Sequence, residues 1–185
     1  MINTLESVAW SSPGHSNRVF SLKFLDDDDP NILLSGGWDA NVFFWDIREK
    51  NNFASLYGPS LSGDTLDYRR GMILTGSHRN QEQLQLWDFK KREKIQDITW
   101  ETDKRVDGVS VYGAQFCKNN DDTIFAGCGG KNDVKLFDCK NQMKPVSSVQ
   151  GLKKGVYSVD YGNSTNRVAF GGADGVAYVL AISSL

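Results

Sequence analysis

The chain has 185 residues, of which 24% are charged and 39% hydrophobic, with a formal net charge of −2. That is an ordinary globular composition, long enough for one compact domain, and so small a net charge draws in neither nucleic acid nor anionic lipid at long range. No run approaches the roughly 18 apolar residues of a membrane span, and the opening Met-Ile-Asn-Thr-Leu-Glu lacks the basic, apolar, small-residue succession of a signal peptide, so an intracellular protein is expected.

Elements follow in chain order. An alternating piece, Leu5–Trp10, comes first; Gly14-His15 then precedes a strand over Val19–Phe24. A second apolar run, Ile32–Gly36, closes on Gly36-Gly37, a tight reversal carries Asp39, and a β-branched and aromatic run ends in Trp45-Asp46. Apolar run, glycine reversal and aromatic run read as strand, turn, strand. Phe53–Leu56 follows, half polar, as an edge strand should be. The same order then returns three times. Inner strands are predicted at Asp64–Tyr68, Val111–Phe116 and Val156–Tyr161, and second strands at Met72–Gly76, Thr123–Gly127 and Arg167–Gly171. Third strands end at Trp87-Asp88, Phe137-Asp138 and Leu180-Ala181, with outer strands at Lys94–Trp100 and Pro145–Val149 and none after the last unit. Three landmarks repeating together every 40 to 50 residues or so define one structural unit per period. Apolar runs are closed within about eight residues by Gly, Asn or Asp, so no long helix is expected.

This order of Gly-His, inner strand, small-residue-rich second strand, Asp turn and Trp-Asp third strand resembles the WD-repeat family, most closely over residues 14–48. The resemblance implies an all-β propeller with four blades of four-stranded antiparallel sheet, blade 1 spanning about 11–56, blade 2 about 57–100, blade 3 about 106–149 and blade 4 about 150–185. Blades of this type are wedged for a ring of about seven or eight, so four make half a ring. An outer strand at the start and none at the end imply that a strand like Leu5–Trp10 completes a last blade. Three ways of closing the arc follow: a longer chain of which this is the C-terminal part, two copies, or a different subunit; a closed four-bladed monomer is a fourth option and the least expected. Uneven divergence of the four units favours the different subunit, and the isolated chain is expected not to be a stable monomer.

The resemblance also implies a polar network in each blade, running from His through Ser or Thr and the turn Asp to the Trp indole. Only the first unit holds all four members, His15, Ser35, Asp39 and Trp45. The second keeps Thr75 and Trp87. The third has Ala126 and Phe137, so its network is expected to be lost, and the fourth keeps Asp174 beside Phe170 and Leu180.

Catalytic and metal-binding chemistry is sparse. Cys117, Cys128 and Cys139 have no paired Cys-x-x-Cys spacing, and only His15 and His78 could supplement them, so free thiols are expected rather than zinc or disulfides. Gly127–Gly130 and Gly171-Gly172 lie in hairpins, not between a strand and a helix, and so lack a phosphate-binding helix N-terminus. Neither histidine is adjacent in sequence to a nucleophile and an orienting acid. Asp26–Asp29 does not have calcium-loop spacing and is expected to be solvated; Lys90–Arg92 should share its face, a mixed charge pattern that disfavours nucleic acid. No enzyme activity, cofactor or metal is expected.

A binding surface remains. Counting four residues back from the last aromatic of each inner strand gives Phe20, Asp64, Tyr112 and Tyr157, which share one position. In the family it resembles, that position lies at the upper rim of the central channel, where many members hold peptides; Trp38 and Arg18 should join it. Exposed aromatics give large contact area at low entropic cost. The implied role is a non-catalytic protein-interaction scaffold or adaptor in a larger assembly, cytoskeletal or axonemal for example. It would bind other proteins but neither nucleic acid nor membrane, in the cytoplasm or on the cytoskeleton, cilium included, with the nucleus also open to it. The alternative rests on Trp45-Asp46-Ile47-Arg48, which resembles the Trp-Asp-x-Arg signature of substrate receptors of cullin-type ubiquitin ligases, with Trp45, Asp46 and Arg48 as the adaptor contact.

Overall fold

The structure, a computed structural model, describes Leu5 and residues 14–25, 28–49, 51–100, 108–118 and 123–182. Every regular element in them is a strand. Sheet one is β1 (Val19–Leu25), β2 (Asp29–Gly37), β3 (Asn41–Asp46) and β4 (Asn52–Tyr57). Sheet two is β5 (Leu66–Arg69), β6 (Met72–Gly76), β7 (Leu84–Asp88) and β8 (Glu93–Ile98); sheet three is β9 (Ser110–Phe116), β10 (Thr123–Gly129), β11 (Val134–Asp138) and β12 (Lys144–Val149). The last sheet has three strands in the described residues, β13 (Val156–Tyr161), β14 (Arg167–Gly172) and β15 (Ala177–Ala181). Each is an antiparallel meander in sequence order, the architecture of a propeller blade. Three of the four blades thus have the expected four strands, and the fourth has the three strands that the sequence places there. The proposed closing strand at Leu5–Trp10 lies outside the described residues except for Leu5, which is in no strand.

Cross-strand register shows how the blades stack. In sheet one Lys23, Leu34 and Phe44 stand in one row and Leu22, Ser35 and Phe43 in the next, so they face opposite sides. The first side meets blade 2: Leu34, Val42, Phe44 and Leu56 pack with Leu66, Tyr68, Ile73 and Trp87 of the second sheet. The far side of blade 2, with Leu74, Leu86 and Ile98, packs on Phe116, Ile124 and Phe137 of blade 3. Blade 3 in turn offers Phe125 and Leu136 to Val159, Tyr161 and Val168 of blade 4. Four blades thus share three apolar interfaces, and none of the hydrophobic clusters of the described residues joins blade 4 to blade 1. The arrangement is an open arc. Its two outer flanks carry exposed apolar side chains, Leu22 (61%) and Phe24 (42%) on blade 1 and Val179 (64%) on blade 4.

Three inner strands break register at one repeated place. Val19 pairs with Gly37 and Ser21 with Gly36, leaving Phe20 as an extra residue; Val156 and Ser158 leave out Tyr157 against Gly172 and Gly171 in the same way. Val111 and Gly113 leave out Tyr112 against Cys128 and Gly127. A β-bulge at one repeated place re-aims the side chain it carries. It demands close backbone approach, because a Cβ on Gly37 or Gly172 would lie 1.9 Å from the carbonyl oxygen of Arg18 or Gly155.

Candidate protein-interaction face

The bulges collect the predicted rim residues into two aromatic groups. Phe20 lies 4.9 Å from Trp38 between ring centroids, and the Arg18 guanidinium sits 5.3 Å over the Trp38 ring. Trp38 is held by its amide, which donates to the Arg18 carbonyl at 3.1 Å. On the other side of the arc Tyr112 and Tyr157 meet edge to face at 5.0 Å. Asp64 stands between the groups: it accepts from the Ser21 hydroxyl of blade 1 at 3.1 Å, and its carbonyl accepts from Ala114 N of blade 3 at 3.1 Å. Phe20, Trp38 and Tyr157 remain exposed, at 37%, 41% and 50%, as do Arg18 and Asp64.

Sequence reasoning missed a member of the first group. His78 lies 6.4 Å from Trp38 between centroids, with its Nδ1–H donating to the Ser60 carbonyl at 2.9 Å. The signal was present, since His78 follows Gly76 by the same two places by which Trp38 follows Gly36.

Beneath this face the first blade holds its complete network. Asp39 accepts from His15 Nδ1–H at 2.8 Å, which leaves Nε2 to accept from the Ser35 hydroxyl at 2.7 Å, while the Trp45 indole donates to the same Ser35 oxygen at 2.7 Å. Serine, histidine and aspartate are thus joined in the order of a hydrolase triad, although neighbours in sequence had not suggested it. Burial decides its meaning: Ser35 is 4% exposed and the Asp39 side chain 2%, so no substrate carbonyl can reach the hydroxyl. It satisfies buried polar groups. Blade 2 retains the shorter version, Trp87 donating to Thr75 at 2.9 Å.

Blade 3 overturns the expectation that its network is lost. β8 ends at Ile98, and Trp100 turns inward instead of finishing the outer strand. Its indole N–H donates to Asp133 at 3.1 Å, the Cys128 thiol lies 2.7 Å from the same carboxylate oxygen, and Lys135 donates to the Trp100 carbonyl at 2.6 Å. Burial pushes the Cys128 thiol up to about 12, and Cys117 likewise, so both are inert thiols at neutral pH. In blade 4 the Tyr178 hydroxyl donates to Asp174 at 2.8 Å and holds that half-buried carboxyl below its ordinary pKa.

The opposite end of the channel is polar and internally paired. Lys23 of blade 1 reaches Asp67 of blade 2 at 2.7 Å, and Asp67 also accepts from Phe116 N of blade 3 at 2.8 Å. Arg69 donates to the Cys117 and Lys118 carbonyls at 2.7 and 2.9 Å. The acidic loop is not merely solvated: Asp28 accepts from the Tyr68 hydroxyl and Asp29 from Asn31 N, with Asp26 and Asp27 outside the described residues. No cluster of metal-ligating side chains occurs among the described residues. Arg48 of the ligase-type signature grips Asp46 with two nitrogens, at 2.8 and 2.5 Å, and holds its carboxyl down at about 2. No described helix is long and apolar enough to cross a membrane.

Comparison with known proteins agrees with this architecture. Residues 6–46 match the model of the WD domain, G-beta repeat. Protein transport protein SEC31 of Dictyostelium discoideum is 26% identical over 161 residues, 82% of this chain and 11% of its own length. APC/C activator protein CDH1 of Saccharomyces cerevisiae is 23% identical over 163 residues, 86% of this chain and 27% of its own. The chain therefore spans only a minor part of these relatives. Among solved structures, the computationally designed Ika4 protein superposes with a TM-score of 0.73 at 18% identity, over 99% of this chain and 100% of that one. The RRP9 WD40 repeats superpose with a TM-score of 0.73 at 16% identity, over 91% of this chain and 49% of that one.

Proposed function

Because the chain is a WD-repeat β-propeller protein, we propose that it is a non-catalytic scaffold or adaptor subunit that docks an extended peptide of another protein on the bulge-bearing end of its channel. The observation that carries this reading is the placement of Phe20, Tyr112 and Tyr157 on bulges in three blades, where a regular strand would have put them in the ladder. Rigid aromatic rings with an adjacent cation, Arg18 on Trp38, form the kind of anchor that dominates protein interfaces. Asp64 between the two groups adds a carboxylate for a Lys, Arg or N-terminal amine of the ligand. The host assembly is an intracellular one, cytoskeletal or axonemal for example, and the exposed apolar flanks of the arc suit a protein neighbour.

Peptides recovered by display against the purified chain test this directly. Trp38→Ala should weaken the selected peptide by about 2 kcal/mol or more and leave the unfolding midpoint unchanged. Normal binding by a destabilised variant would assign Trp38 to the core and sink the reading.

A substrate receptor of a cullin-type ubiquitin ligase is the second reading, carried by the Trp45-Asp46-Ile47-Arg48 signature. The Arg48 side chain is 61% exposed but already committed to Asp46. An adaptor would have to approach the pair as a unit, so co-purification of a ligase adaptor that is abolished by Arg48→Ala would decide for it.

A further inference from the structure

The two open flanks of the arc are the two halves of one junction. Position by position, Leu22 and Phe24 of blade 1 correspond to Leu66 and Tyr68 of blade 2, and Ser158 and Asp160 of blade 4 to Ser21 and Lys23 of blade 1 and to Thr65 and Asp67 of blade 2. Inside the arc these positions meet in a repeated way. The Ser21 hydroxyl of blade 1 accepts from Leu66 N of blade 2 at 3.2 Å. The Asp67 carboxylate of blade 2 accepts from Phe116 N of blade 3 at 2.8 Å, and the Lys23 ammonium of blade 1 reaches forward to Asp67 at 2.7 Å.

Blade 4 carries the same two acceptors on a side that no blade covers. Ser21 is buried, at 2%, whereas Ser158 is exposed; the Asp160 side chain is 67% exposed and lies 3.4 Å from the Lys118 ammonium. Blade 1 carries the matching donors, the amides of Leu22 and Phe24, at the positions of Leu66 N and Phe116 N inside the arc. The apolar surfaces also match in size. Blade 4 presents Ala169 and Val179 where blade 1 presents Leu34 and Phe44 to its neighbour, a shallow surface facing the large Leu22 and Phe24 of the blade 1 flank.

We propose that the missing neighbour is a second copy of this chain, and that two arcs close head to tail into a ring of eight blades. In each of the two junctions, Ser158 and Asp160 of one copy accept from the Leu22 and Phe24 amides of the other. This deepens the reading that protein covers the flanks, by naming the protein. Uneven divergence had favoured a foreign subunit, but the flanks bear on the matter more directly, since a foreign chain would need to reproduce both halves of a junction that this chain already carries.

Sedimentation equilibrium of the purified 185-residue chain should give a species of twice 20.6 kDa. Val179→Arg on blade 4 and Leu22→Arg on blade 1 alter side chains that are mostly solvent-exposed in the single chain. Each should therefore keep its β circular dichroism while raising the dimer dissociation constant on the order of a hundredfold, because each buries an unpaired charge twice. An equimolar mixture of the two variants should recover dimer, since one of its two junctions then has both native flanks. If Leu22→Arg does not fold, Ser158→Arg tests the same junction from the other side. A folded monomer at tens of micromolar overturns the proposal. So does a dimer indifferent to Val179→Arg and Ser158→Arg, a mixture that recovers nothing, or assembly only with a different polypeptide or with further blades of a longer chain. Peptide binding at Trp38, on another face, is read separately and stands or falls by itself.

Discussion

The indole of Trp100, arriving from the end of blade 2, donates at 3.1 Å to Asp133 at the start of the third strand of blade 3, and its ring packs edge to face on Phe137 at 5.7 Å. One residue thus ties two blades together and supplies the donor that Phe137 removed from the blade's own third strand. Trp100→Ala should cost about 3–5 kcal/mol, as large aromatic truncations in a core do. Trp100→Phe should recover most of the packing but leave Asp133 without the indole donor, a residual loss of about 1–3 kcal/mol. Urea unfolding of the three proteins measures both steps. A Trp100→Phe variant as stable as the native chain would show that the hydrogen bond contributes nothing.

In blade 1 the indole of Trp45 is fixed by Ser35, which is also bonded to His15. Trp45→Ala should cost about 3–5 kcal/mol and Phe137→Ala, which has no polar partner to orphan, somewhat less. Ser35→Ala should lose about 1–3 kcal/mol although it removes a single oxygen, because two buried groups lose their partner. Equal tolerance of Trp45→Ala and Phe137→Ala would contradict the correspondence of the two positions.

Strand order and blade count were legible because each blade repeats the same alternation of apolar and polar residues, and a period of 2 leaves little choice of face. The open arc was legible as well, from four units whose wedge suits about twice that number. Two features were not. Trp100 reads as the last residue of an alternating outer strand, and only the third dimension shows that the partner its indole needs, Asp133, lies one blade further on. The bulges at Phe20, Tyr112 and Tyr157 were visible as a shared position but not as bulges, since an extra residue shows only against the register of the neighbouring strand.

Titration of the Asp46–Arg48 pair should be visible at low pH. Two hydrogen bonds from Arg48 lower the Asp46 carboxyl from 3.8 to about 2. With the folded value depressed, the contribution of the pair is present above about 3.8 and is lost as pH falls toward 2. An NMR titration of the Asp46 carboxyl should have its midpoint near the lower value, and Arg48→Ala should return it to the ordinary carboxylate range. A native midpoint near 3.8 would mean that the pair is open in solution.

Alkali should act through the buried thiols. Burial raises Cys117 and Cys128 from 9.0 to about 12, so between these values the unfolded chain ionises its thiols while the native chain does not. Stability from this source is complete below pH 9 and falls as pH rises toward 12. Cys117→Ala with Cys128→Ala should flatten that decline, at the expense of some packing. In the native state at pH 8, a thiol reagent should modify the half-buried Cys139 well before the other two. Rapid labelling of Cys128 would show that blade 3 opens around Asp133.

The last prediction links backbone to binding face. Gly37 and Gly172 pair with the first residue of bulged inner strands, Val19 and Val156, and a Cβ at either would lie 1.9 Å from a carbonyl oxygen. A methyl group there cannot be absorbed by a side-chain rotation, because the obstacle is backbone. Gly37→Ala should therefore push Arg18 and the Trp38 turn apart, breaking the 3.1 Å bond from Trp38 N to the Arg18 carbonyl and with it the stacking of Arg18 on the indole. Gly172→Ala should make a clash of the same size, about 1–3 kcal/mol by the usual cost of overpacking, while leaving Trp38 in place. If the aromatic group around Trp38 is the docking site, only Gly37→Ala should lose peptide affinity beyond its loss of stability. Equal losses of affinity in the two variants would show that the peptide depends on the arc as a whole and not on the Arg18–Trp38 turn.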